Sequence, residues 1–233
     1  MLHRLPRWIL WLGAASALAP NGAWAFPVIS EVFYDAVGSD DGRSFVELYG
    51  EPGTPLDGMR LEGVNGTGGS IGPVLVLSGA IPADGFFVVA DDAAGGPSLV
   101  AEADLVLGFD FQNGPDSIVL YEGDAVLDAV GYGVFAPGDV FAGEGLPAPD
   151  APADASLARA FADVDSDDNA ADFGVLATPT PGSGLLAPVP EPATAWLVGT
   201  GLAGLGACGR RPRRAAACVG GARAAVARAG APD

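Results

Sequence analysis

Through the middle of this chain, apolar and polar positions alternate in short runs, and glycine or proline interrupts them roughly every eight to twelve residues. Val28–Tyr34 sets Ile29, Glu31 and Phe33 against Ser30, Val32 and Tyr34. Phe45–Tyr49 puts Val46 and Leu48 on one face and Glu47 on the other. Further strands are predicted at Leu56–Val64, Val74–Leu77, Phe86–Ala90 and Leu105–Phe111, with short closing segments at Leu157–Phe161 and Phe173–Leu176. Phe86–Ala90 is too apolar to face water as an edge. The clearest hairpin joins Ser117–Tyr121 to Ala125–Tyr132 through Glu122-Gly123-Asp124, where glycine supplies the positive φ of a tight turn. Gly138–Ala155 reads as a long surface loop, and Ala177–Pro192 as an extended, semi-rigid Thr/Pro/Gly linker. No segment of this region sustains an apolar period near 3.6. The pattern therefore predicts an all-β sandwich or barrel.

The two ends have a different character. Arg4 and Arg7 precede the short apolar run Trp8–Ala19 and the small-x-small triplet Ala23-Trp24-Ala25, the layout of a secretory signal peptide (1–25) cut before Phe26. At the other end stand Val189-Pro190-Glu191-Pro192, the apolar run Ala193–Gly209 and the cluster Arg210-Arg211-Pro212-Arg213-Arg214. The prolines keep their segment extended and outside any helix. About 17 apolar residues span roughly 26 Å as a helix, just short of a ~30 Å hydrocarbon core, so 193–209 is expected to be a transmembrane helix. The arginines of 210–233 should stay on the cytoplasmic side, because carrying them through lipid is costly. The tripartite tail Pro188–Arg214 resembles the PEP-CTERM sorting signal of Gram-negative bacteria that make extracellular polysaccharide. That resemblance implies export, transient anchoring in the cytoplasmic membrane, and processing near Pro190-Glu191-Pro192 by an exosortase-type membrane enzyme. Such signals ordinarily stop soon after the basic cluster, whereas here the Ala/Gly/Arg-rich stretch Ala215–Asp233 follows.

Charge and residue inventory narrow the chemistry of the part between. Pro27–Ala187 carries 27 Asp and Glu against three cations, Arg43, Arg60 and Arg159, and the chain contains no lysine. Such a surface repels phosphate backbones and argues against nucleic-acid binding. It favours solubility or attracts divalent cations. The one histidine, His3, and both cysteines, Cys208 and Cys218, lie in the terminal segments. The body therefore has no disulfide, no Ser-His-Asp triad and no zinc site built on His or Cys. Only carboxylate chemistry remains open to it.

Asp163, Asp165, Asp167, Asp168 and Asp172, with Asn169, form the densest acidic stretch. Alternating carboxylates in a loop can offer several oxygens to one hard cation, which makes these residues a candidate Ca²⁺ site. An EF-hand is excluded: Asp168 stands where that loop needs glycine and Gly174 where it needs a bidentate glutamate. The competing expectation is a solvated turn whose side chains cap backbone donors, with Arg159 relieving the repulsion. Asp40-Asp41-Gly42-Arg43 and Asp91-Asp92 read as turns. Glu31 and Glu47 sit on neighbouring predicted strands and are expected to point to solvent; turned toward each other, they would form the acid pair a glycosidase uses.

Three stretches together are similar to the lamin-tail domain family. They are Ile29–Tyr34 with Phe45–Tyr49, then Leu56-Asp57-Gly58-Met59-Arg60-Leu61, and finally Ser156–Arg159 with Asp165–Phe173 and Thr178-Pro179-Thr180-Pro181-Gly182. Met59 stands where that family usually shows an aromatic. The resemblance covers 26–184 and implies an immunoglobulin-like β-sandwich without a common catalytic activity; 185–192 then forms the Pro-rich linker. The expectation is an exported, non-enzymatic envelope or matrix module with no catalytic residues, meeting extracellular polysaccharide or envelope proteins. The alternative is a carboxylate-based hydrolase acting on that polysaccharide.

Overall fold

The computed structural model describes residues 26–188. The predicted signal peptide, Val189 to Pro192 of the sorting motif, the apolar span 193–209 and the basic cluster lie outside the described residues. Among the described residues no helix is long and apolar enough to cross a membrane.

The body is all-β. Its strands are β1 (Val28–Phe33), β2 (Phe45–Tyr49), β3 (Met59–Asn65), β4 (Ile71–Val76), β5 (Phe86–Asp91), β6 (Leu105–Leu107), β7 (Asp116–Glu122), β8 (Ala125–Tyr132), β9 (Ser156–Arg159) and β10 (Phe173–Leu176), with the single-turn α1 (Asn169–Asp172) before β10. One sheet has the order β10-β9-β1-β2-β5-β6, the other β4-β3-β7-β8. All pairings are antiparallel except β5 with β6. Ile29, Val32, Val46, Leu48, Phe87, Val89 and Leu157 from the first sheet meet Leu61, Leu75, Ile118, Leu120, Val130 and Tyr132 from the second in one core. Burying each such side chain contributes about 1.5–3 kcal/mol, the main driving force in a domain without disulfides. Tyr34 and Tyr132 stack across the sheets at 4.4 Å.

The outer face of the six-stranded sheet is covered as well. At one end Val100 and Ala103 pack on Phe33, Phe45, Val88 and Ala90. At the other, residues 178–187 lie across the sheet as a strap. This segment was expected to be a spacer. Instead Thr180 and Gly182 donate their N–H groups to Glu31 and Glu47, Ala162 donates to the Leu185 carbonyl, and Ala187 donates to Asp163. With both faces covered, β5 is buried throughout.

The hairpin forms as its spacing predicts, Glu122 pairing with Ala125 and Gly123 taking φ 59°. Elsewhere strand ends shift where the chain turns. Leu56 stays buried but precedes β3, because Gly58 at φ 92° closes a turn with Met59 N–H on Leu56 C=O. β6 ends at Leu107, and Phe109 and Phe111 leave the sheet while remaining in the core. A bulge interrupts β1: Ile29 faces Leu48 and Glu31 faces Glu47, so Ser30 is the extra residue. It breaks the expected alternation, sending Ile29 inward while Glu31 and Phe33 face out.

Two buried carboxylate groups as the candidate functional site

The first group is built around Arg159. Arg159 on β9 shares its inward face with Leu157, and Asp128 on β8 shares its own with Val130, so the two meet between the sheets at the sandwich edge. Their side chains are fully buried, and Nη2 reaches both Asp128 oxygens at 2.8 and 3.0 Å. Nη1 donates to Asp172 at 2.7 Å and to Asp165 at 3.2 Å; Nε donates to the Ile29 carbonyl at 2.7 Å. The guanidinium also lies 4.6 Å from the Phe173 ring centre. Burial alone would lower the pKa of Arg159; the charges of Asp128 and Asp165 overturn this and raise it. Burial pushes the Asp172 carboxyl up, but hydrogen bonds from Ser166 and the Arg159 charge outweigh it and hold it below its usual value.

The five aspartates of the candidate calcium loop divide their work. Asp165 and Asp172 bind Arg159. Asp168 is the N-cap of α1, its Oδ1 accepting from Ala170 and Leu146. Asp163 holds the end of the strap through Ala187 at 2.7 Å. Asp167 is exposed, with φ 56°. Asn169, wholly buried, accepts from Gly131 and Glu144 through Oδ1 and donates to Ala129 C=O, tying the loop to β8. Only Asp165 of the five joins a metal-compatible set: single oxygens of Asp128, Glu144 and Asp165 lie within 4.8 Å of one another. Glu144 is held up at about 8 by burial and by Asp128 and Asp165, and its Oε2 is buried with no hydrogen-bond partner. Asp128 and Glu144 escaped the sequence reading. The usable signal was a carboxylate set inside the apolar run of β8, Val126 to Val130.

The second group corrects an expectation. Glu31 and Glu47 do not point to solvent: they are directly opposite on β1 and β2, and each is 1% exposed. Among the described residues no cation pairs with either. Ser30 donates its hydroxyl to Glu47 Oε1 (2.6 Å) and Gly182 its N–H to Oε2 (2.7 Å). Glu31 accepts from the hydroxyls of Ser156 and Thr180 and from Thr180 N–H. Burial, reinforced by the neighbouring Glu31, raises the Glu47 carboxyl to about 7 against hydrogen bonds from Ser30, Gly182 and Ser183. Beside the pair, where Ala158 and Gly174 are small, runs a largely apolar groove of about 500 Å³ walled by the strap at Thr180 and Leu185.

A further acidic hollow is lined by Asp40, Asp41, Asp91, Asp92 and Asp110. Three of its residues have local roles: Asp91 accepts from Gly42 and Phe109, Asp92 accepts from Gly95, and Asp41 accepts from Ala94 rather than pairing with Arg43.

Fold and sites thus define a two-sheet β domain, free of His, Cys and Lys, whose last docked residue is Ala187. The residues that follow identify its destination: 188–211 match the PEP-CTERM protein-sorting motif. The motif marks an exported protein, transiently anchored at the membrane and handled by an exosortase-type sorting enzyme. No curated protein and no solved structure matches the chain.

Proposed function

We propose that the protein is a non-enzymatic module of the cell envelope or extracellular matrix, released or displayed after sorting. The carrying observation is that the one directly facing pair of buried acids, Glu31 and Glu47, is saturated by internal donors. A glycosidase needs an acid and a second carboxylate free to meet substrate or water. The lamin-tail-like sequence pattern, with the immunoglobulin-like sandwich it implies, supports a binding or scaffolding role. Cell fractionation with the C-terminal mass of the exported protein tests the delivery; export with a cut near Pro190-Glu191-Pro192 is expected, and retention in the cytosol overturns it.

The hydrolase alternative draws on the groove beside Glu47 and on the raised Glu47 carboxyl. Against it, no aromatic residue among the described residues lines the groove to stack on a sugar ring. Release of reducing ends from extracellular polysaccharide, lost in Glu47→Gln, would establish it over the module reading.

A hard divalent cation is the second reading for the Arg159 cluster, favoured by the unpartnered Glu144 Oε2 beside Asp128 and Asp165. Calcium there would displace the Glu144 proton and stabilise the body by mass action. A melting midpoint raised by millimolar calcium in the wild type, and not in Glu144→Gln, is the expected result; equal midpoints with calcium and with chelator defeat it.

A further inference from the structure

The strap is held without a single charge of its own: Thr178 to Ala187 contains neither acid nor base. Pro179 and Pro181 pre-set an extended path on either side of Thr180. Gly182 turns at φ 77°, a conformation a side chain would strain, with the Glu102 side chain close against it. The last strap hydrogen bond, Ala187 N–H to Asp163, falls on the residue immediately before the matched signal. No spacer therefore remains along the chain between the folded body and the sorting motif.

We propose that Glu31 and Glu47 are positioning residues for the processing reaction: with Thr180 and Gly182 they form a clasp that withholds the sorting motif from its membrane enzyme until the strap lifts. A peptide-cutting enzyme takes its substrate as an extended chain clear of other structure, so cutting follows the population of the opened form. A body of this size has a radius of gyration of about 15 Å. Releasing 178–187 adds roughly 33 Å of extended chain between the body and the motif.

The clasp is also open to pH. Glu47 faces Glu31 on β1 and lines the groove with Arg159; Glu102 lies against Gly182 of the strap, and β5 presents neutral Val88. Docked, Glu47 is held up at about 7; with the strap lifted and water admitted, it falls toward its ordinary 4.5. The docked strap is therefore favoured in acid and loosens as pH rises through about 7.

The test uses the full chain in a host with an exosortase-type enzyme. Processing is followed by pulse-chase and C-terminal mass, and strap docking by hydrogen exchange at the Thr180 and Gly182 amides. Thr180→Val and Gly182→Ala alter only the strap and leave the sandwich core intact. Both should lose amide protection and be processed roughly tenfold faster, the effect of weakening a hydrogen bond to a buried carboxyl group. Thr178→Ala, exposed and outside the clasp, should behave as wild type. Glu47→Gln should abolish the fall in Gly182 protection between about pH 6 and pH 8 that the wild type shows. Wild-type processing rates in variants that have lost protection overturn the proposal while leaving the sorting assignment intact. Unchanged protection in both variants overturns the clasp itself. A wild-type chain never cut at all removes the sorting assignment and, with it, any control by the strap.

Discussion

Two sets of buried carboxylates lie on this domain, and they are neutralised in opposite ways. Asp128, Asp165 and Asp172 gather on a permanent cation, Arg159, whose guanidinium joins the two sheets at their edge. Glu31 and Glu47 have no cation and lean on hydroxyls and backbone N–H groups, two of the donor residues being on a strap. The guanidinium and the Ser166 donors hold the Asp172 carboxyl below its ordinary value, and the same charge opposes the burial that pushes Asp128 up, so this permanent cation makes the first set fixed structure. Glu47, matched only by neutral donors in a dry site, is pushed up to about 7, and its hold depends on solvent exclusion, so its hold on the strap is adjustable. The body thus keeps a rigid joint between its sheets and a releasable one on the outer face of the six-stranded sheet, and Ile29–Glu31 touches both.

The sharpest way to break that contrast is to remove the cation. Arg159→Met leaves Asp128 buried without a partner, and urea unfolding should show a loss of about 3–5 kcal/mol. Arg159→Met with Asp128→Leu should recover most of it, since the cost lies in the orphaned charge. Acid–base titration of the other set comes next. Glu47 has a folded-state carboxyl raised from 4.5 to about 7, so its favourable contribution is complete below pH 4.5 and is lost as pH rises through about 7. The stability of the body should fall between pH 5 and pH 8.5 by up to about 3 kcal/mol, and Glu47→Gln should flatten that part of the curve. Glu144, held up at about 8, adds a fall in the same direction at higher pH. Asn169→Ala removes three buried hydrogen bonds that seat the Arg159 loop on β8, and equilibrium unfolding should register about 2 kcal/mol. The smallest effect belongs to Asp168→Ala, the loss of one helix cap on a single turn, about 1 kcal/mol with Arg159 still paired.

Much of this was legible in advance. β2 and β10 occupy the expected residues without change, and the β7–β8 turn falls on Gly123, because strand alternation and turn chemistry act over a few neighbours. The acidic loop was visible as composition, and Arg159 stood out as one of three cations in the body. What composition does not carry is partnership. Asp163, four residues from Arg159, serves the strap instead, while Asp128, 31 positions away, binds the guanidinium with both oxygens.

The sequence by itself determined the all-β character, the absence of thiol and imidazole chemistry, and the sorting signal at 188–211, since each follows from residue type and local order. Tertiary structure alone decided which acids meet and which segments stay attached. One extra residue at Ser30 turned Ile29 into the core, off the face that alternation would have it share with Glu31, and set Glu31 opposite Glu47 on the outer face. Long-range packing then brought Thr180 and Gly182 over both, converting an apparent spacer into a clasp. Pairings over such distances depend on how two sheets close on each other, and no local pattern of residues specifies that.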